Sequence, residues 1–172
     1  MVGYKLNINK MIKQIFLIII TSLLFFQPVH SANALEGLIK FTGKNDATVF
    51  LEVADTPEKK TKGLMDRNNL APNRGMVFIF KPAMKVTFWM KDTLIPLDMI
   101  FINDGKIVKI AKNTVPNQTS ILYPSEFDVT EVVEVNGGFS DKHMISVGDN
   151  VSFENIAQID YSKKSELMIV SK

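Results

Sequence analysis

Leu97-Asp98-Met99-Ile100-Phe101-Ile102, then Asn103-Asp104-Gly105, then Lys106-Ile107-Val108-Lys109-Ile110-Ala111, is the stretch on which the fold turns. Two runs rich in β-branched and aromatic residues flank a short turn holding Asp-Gly, the strongest local signal of a β-hairpin. Pro96 stands just before the first run and limits how early that strand can begin. Asp98 is out of keeping with its neighbours. An acid among residues of this kind is costly unless it is paired or hydrogen-bonded.

Working outward, residues 48–53, 75–80, 86–91, 129–135 and 151–153 read as further strands. Thr56-Pro57-Glu58 reads as a helix start: Thr caps, Pro suits the first helical position and Glu favours the positive end of the helix dipole. Gly63 ends that helix within two turns. Residues 68–74 and 113–125 read as loops, the second long and carrying two prolines. About seven short strands and one short helix predict a mainly β fold, a compact single-domain sandwich or barrel.

The amino-terminal part reads differently. Lys5, Lys10 and Lys13 precede an apolar run over residues 15–26, followed by Pro28 and Ala32-Asn33-Ala34. A basic region, a short apolar core and an A-x-A site make a secretory signal peptide over residues 1–34. A spanning helix needs about twenty apolar residues, so an uncleaved membrane anchor is the alternative reading. The expected organisation is a signal peptide (1–34), a β domain (35–155) and a carboxy-terminal extension (156–172), with an extracytoplasmic location: periplasmic, lumenal or secreted. No membrane span is expected after cleavage. The formal charge of +2 then falls to about −1 once the three leader lysines are gone. That leaves nothing to suggest nucleic-acid binding, which needs a basic patch with aromatics.

Scarcity points to a candidate site. The chain has no cysteine, which removes disulfides, thiolate metal sites and a Cys nucleophile. Its only histidines are His30, inside the leader, and His143, so no multi-histidine zinc site can form in the mature domain. Met65, Met76, Met84, Met90 and Met99 read as core fillers rather than copper ligands. No metal or cofactor is expected. Among many lysines the only arginines are Arg67 and Arg74, both near one loop. Arginine grips a carboxylate with two parallel bonds, which lysine cannot do. The single Trp, Trp89, is followed by Lys91, Asp92 and Thr93. If residues 88–93 are extended, Trp89, Lys91 and Thr93 share one face, and Phe88, Met90 and Asp92 the other.

Arg67, Trp89, Lys91, Asp92, Thr93 and Asp98 are therefore the candidate ligand-binding residues, with Trp89 as an aromatic wall. Asp98 has two structural alternatives: a clamp with Arg67, or a cap on backbone amides. Trp89 could equally lie in the core. No residue is assigned a catalytic role. A hydrolase using Asp92 and Asp98 stays open, since two carboxyls roughly 5–9.5 Å apart can flank a glycosidic bond.

Val53-Ala54-Asp55-Thr56-Pro57-Glu58, Gly63-Leu64-Met65 with Arg67, Gly75-Met76 with Phe78 and Phe80, Phe88-Trp89-Met90-Lys91-Asp92-Thr93, and Ile95-Pro96-Leu97-Asp98 with Phe101 together carry a resemblance. The chain resembles the domain-of-unknown-function 192 family, also called uncharacterised protein family 0127, over roughly residues 47–153. The resemblance implies a small, mostly β domain, often exported by bacteria or archaea, with no established activity. A sugar-binding role has been suggested for the family from likeness of fold alone. Two positions depart from its pattern: Asp92 stands where Asn is usual, and Lys59 where Glu is frequent. Glu at that position would close a capping box with Thr56, which Lys cannot do.

The expected function is non-enzymatic binding of a small polar ligand, a carbohydrate among the candidates. The alternative is a cell-envelope module that holds a protein partner through Phe78, Phe80 and Phe88.

Overall fold

The computed structural model describes residues 37–42 and 47–156. The expected signal peptide and nearly all of the expected carboxy-terminal extension lie outside the described residues. The elements are β1 (Gly37–Thr42), β2 (Thr48–Ala54), α1 (Pro57–Lys62), β3 (Arg74–Met84), β4 (Thr87–Phe88), β5 (Leu97–Asn103), β6 (Lys106–Ala111), β7 (Tyr123–Pro124), β8 (Val129–Asn136), α2 (Phe139–Lys142) and β9 (Asn150–Glu154). Seven strands close into a barrel in the order β1-β2-β3-β8-β5-β6-β9, and β4 pairs with β7 as a separate ribbon. Of the two architectures expected, the barrel is the one formed. Closure removes the exposed edges that a sandwich would have to protect.

The β5–β6 hairpin forms as expected. Asp104 (φ 48°) and Gly105 (φ 74°) both take positive φ, which the tight turns favoured in hairpins require of their central residues. Among the described strands only β2 and β3 pair in parallel, and the connection between them carries α1. Thr56 caps α1, its hydroxyl accepting the Lys59 amide at 3.2 Å. Lys59 cannot close the capping box, and its ammonium instead reaches back to Asp55 at 2.8 Å.

Two cores result. The inner one draws from all seven barrel strands, with Ile39, Val49, Val77, Ile100, Val133 and Val151 among its members. The outer one covers the other face of β3, β5 and β8, where Phe78, Met99, Phe101 and Val132 meet Leu64 and Met90. β5 is buried on both faces, which explains its continuous apolar run in place of an alternating one.

Three expectations need correction. Residues 86–91 form only the two-residue strand β4 and then a turn, because Lys91 and Asp92 bend the chain. A second short helix, α2, follows Gly138. A further strand, β1, precedes the first one expected and pairs with both β2 and β9. Among the described residues no helix is long and apolar enough to cross a membrane.

Candidate functional site

The expected clamp between Arg67 and Asp98 does not form. Asp98 is fully buried. One of its carboxylate oxygens accepts the amides of Asn113 at 2.9 Å and Gly138 at 3.0 Å, and the other accepts Ser140 at 2.8 Å. Three amide donors satisfy the buried carboxyl oxygens. Asp98 thereby ties β5 to the chain leaving β6 and to the start of α2, which is the amide-capping alternative. It cannot serve as a hydrolytic base with Asp92, because its oxygens are committed and shut away from solvent.

Arg67 instead grips Glu52 on β2 with two bonds, at 2.5 and 2.6 Å. The hydrogen bonds from Arg67 hold the Glu52 carboxyl below its usual range, against the opposing effect of burial. The two-bond geometry was legible from the scarcity of arginine; the partner was not. Arg74 rests its guanidinium over the Phe50 ring at 5.5 Å.

Asp92 takes φ 51°, and its carbonyl accepts the Asp66 amide at 2.8 Å. Asn and Asp tolerate this left-handed conformation better than most residues. The turn geometry therefore accounts for either residue at position 92, with no ligand involved. Lys91 is exposed, 3.7 Å from Asp92, and lies 5.9 Å from the centroid of the Trp89 ring.

Trp89 is 47% exposed, so the core reading of that residue does not hold. Trp89 and Thr93 line one cavity of about 460 Å³ between α1, the outer face of the barrel and the β4 segment. Thr93 is buried there, its hydroxyl donating to the Lys91 carbonyl at 3.1 Å. Of the six expected residues, the cavity includes these two. Lys91 and Asp92 flank it on the neighbouring turn, Arg67 is held by Glu52, and Asp98 is enclosed elsewhere.

The walls come from residues first assigned to an outward patch. Phe78 is buried, and Phe88 meets it edge to face at 5.0 Å. Phe80 lies 6.5 Å from Phe88, also edge to face, and the Lys60 ammonium sits 4.7 Å from the Phe80 centroid. Such T-shaped pairs hold aromatic rings in fixed positions. The three phenylalanines therefore form a cavity wall rather than an outward docking patch.

The floor holds the residue that sequence reasoning missed. Glu134 on β8 stands opposite Met76 of β3 and Met99 of β5, with 5% exposure. Burial alone pushes its carboxyl up to about 8, and no hydrogen bond or ion pair reaches it among the described residues. It is therefore mostly protonated at neutral pH. Gly63 (φ 47°) brings the end of α1 close to this floor: a Cβ there would lie 3.3 Å from Phe78 and 3.9 Å from a Glu134 oxygen. The available signal was an acid inside Val132-Val133-Glu134-Val135, the same kind of anomaly that marked Asp98.

His143 packs against the Phe139 ring at 4.4 Å, outside this cavity. The remaining charged groups lining the cavity are Lys60, Lys62 and Lys85.

Comparison with curated proteins finds no match. A protein of unknown function from Novosphingobium aromaticivorans has a similar structure, with TM-score 0.66, 35% identity, and coverage of 72% of this chain and 90% of that one. A protein from Sinorhizobium meliloti, described as a candidate transcription regulator, is similar with TM-score 0.65, 33% identity, and coverage of 70% and 95%. The family model described as "Uncharacterized ACR" matches residues 39–153, and the chain belongs to that family, DUF192.

Proposed function

We propose that this domain is a non-enzymatic module, exported from the cell, that holds a small polar ligand in the cavity beneath Trp89. The observation that carries the reading is Glu134, a carboxyl at the cavity floor with no protein partner among the described residues. Its carboxyl borders the cavity with 5% exposure, so its hydrogen-bond partner must come from whatever occupies that space, and a ligand is the functional reason to keep an acid there. The aromatic walls supply apolar contact, while Thr93, Glu134 and the lysines supply a few polar anchors, the usual make-up of a small-molecule pocket. Binding is favoured over catalysis because the cavity pairs its single acid with no second acid and no histidine. The regulatory description of the Sinorhizobium relative is not carried over, since the near-neutral charge of residues 35–172 gives it no support.

Trp89 is the only tryptophan, so its intrinsic fluorescence reports on the site. A panel of monosaccharides, amino acids and small organic acids should contain a ligand that gives a saturable change. If no member binds, by fluorescence and by ligand-detected NMR, the reading fails. Binding that leaves Trp89 and the cavity resonances unmoved would place the site elsewhere.

A protein-interaction role is the second reading. It is favoured by the exposed apolar side chains of Trp89, Leu94, Val115, Ile121 and Leu122, on two segments joined where the Met90 amide meets the Gln118 carbonyl at 3.1 Å. A silent ligand panel, together with site-specific crosslinking from Leu122 to one defined envelope protein, would favour it.

A further inference from the structure

The charges around the cavity are arranged unevenly. Lys62 and Lys85 are exposed at its mouth, Lys60 is half-buried against Phe80, and the acid lies at the floor. We infer that the ligand is an organic anion: its carboxylate or phosphate meets the lysines, its ring or chain lies against Phe78, Phe80, Phe88 and Trp89, and an acceptor atom at its far end accepts a hydrogen bond from the Glu134 side chain. This rests on the reading of the cavity as a ligand site.

Each part follows from a contact. The Phe80 face is already covered by an ammonium 4.7 Å away, and two more lysines line the same space. A cationic ligand would have to sit beside these like charges, whereas an anion is drawn in by them. Lys62 is also paired with Asp66, so Lys85 carries more of the attraction. At the floor, Glu134 faces Met76 and Met99 across the sheet and Gly63 and Phe78 from above. None of these offers an anion, and the two thioethers are only weak acceptors. Along the same cross-strand row Glu52 lies beyond Met76 and is held by Arg67 at 2.5 and 2.6 Å, while Lys109 lies over Phe101 and is paired with Glu126 at 2.7 Å. Burial keeps the Glu134 proton in place to about pH 8, so at neutral pH the floor offers an O–H donor to the ligand.

Three probes separate the possibilities: 4-hydroxyphenylacetate, 4-hydroxyphenylacetamide and tyramine share a ring and a hydroxyl and differ in charge. Their affinities for the full chain are measured by titration calorimetry at pH 7, at low and at raised salt. The anion should bind at least tenfold tighter than the amide, with tyramine weakest, and raised salt should narrow that gap. Lys85→Glu, an exposed change, should erase the preference. From pH 7 to pH 9 the anion should weaken about tenfold, as the fraction of chains with a protonated floor falls. Glu134→Gln keeps a donor that does not titrate, so its affinity should stay level over that range. Its thermal midpoint confirms that it folds. Equal or tighter binding of the amide or of tyramine overturns the inference, as does an unchanged pH slope in Glu134→Gln. If none of the three binds while a neutral ligand of the wider panel moves Trp89, the anion assignment falls and the cavity reading stands. If nothing moves Trp89, both fall.

Discussion

Replacing Asp98 with alanine removes the acceptor for three backbone amides at once: Asn113, Gly138 and Ser140. Asp98 is fully buried, so water cannot take its place without opening the end of the barrel. An unsatisfied buried donor costs about 1–3 kcal/mol. Three of them, partly relieved by local rearrangement, give a loss of roughly 3–6 kcal/mol. Small domains have total stabilities of about 5–15 kcal/mol, so the variant should sit near the edge of folding at 25 °C. Asp98→Asn is a graded control. Its carbonyl can still accept Asn113 and Gly138, while its amide nitrogen would face the Ser140 N–H, donor against donor. It should fall between the wild type and alanine. Urea unfolding followed by far-ultraviolet circular dichroism gives all three stabilities, with a common slope as the check that the compared states are the same. A loss below about 1 kcal/mol for Asp98→Ala would refute the amide-capping role. Equal stabilities for Asn and Ala would refute the division of donors between the two oxygens.

The other expectations concern the outer face. The unfolded chain releases the Glu134 proton near 4.5, while the folded chain holds it to about 8. Stability contributed through this group therefore declines as pH rises through that window. Glu134→Gln should remove the decline and be more stable at pH 7 by on the order of 3 kcal/mol; parallel stability–pH curves for the two proteins would contradict this. Arg67→Lys should cost no more than about 1 kcal/mol, because the Glu52 pair is partly exposed, and a larger loss in thermal melts would mean that Arg67 supports something more deeply buried. Asp92→Asn should leave the melting temperature almost unchanged, whereas Asp92→Val should cost roughly 1–3 kcal/mol, since a β-branched residue is strained at φ 51°. Equal melting points for Asn and Val would show that the turn does not constrain position 92.

Much of the barrel was legible because its signals are local. The Asp104-Gly105 turn and its flanking runs specify β5 and β6 without reference to the rest of the chain. Thr56 and Gly63 likewise bracket α1. Residues 86–91 were misread because β propensity does not reveal the turn at Lys91 and Asp92, which the Asp66 amide helps to hold from another loop. The site was legible in part for a related reason. Alternation correctly separated inward Phe88 and Met90 from outward Trp89 and Lys91, then failed at Asp92 and Thr93 where the strand had already ended. Partner identity was the least legible feature. The sequence marked Arg67 and Asp98 as each needing a partner, yet Glu52 and three backbone amides become neighbours only when the barrel closes. Glu134 carried the same warning as Asp98, an acid in an apolar strand. One found partners and the other did not, and nothing in either local sequence separates the two cases.

The account depends most on Glu134 being a neutral acid at the floor of the aromatic cavity. Carbon-13 NMR of the glutamate side-chain carboxyls, with Glu134 assigned by its absence in Glu134→Gln, follows that single group as pH is raised. The account predicts that its resonance stays in the protonated position through pH 7 and shifts with a midpoint near 8. A midpoint in the ordinary glutamate range near 4.5 would show a solvated or paired carboxylate, and would contradict the site as described.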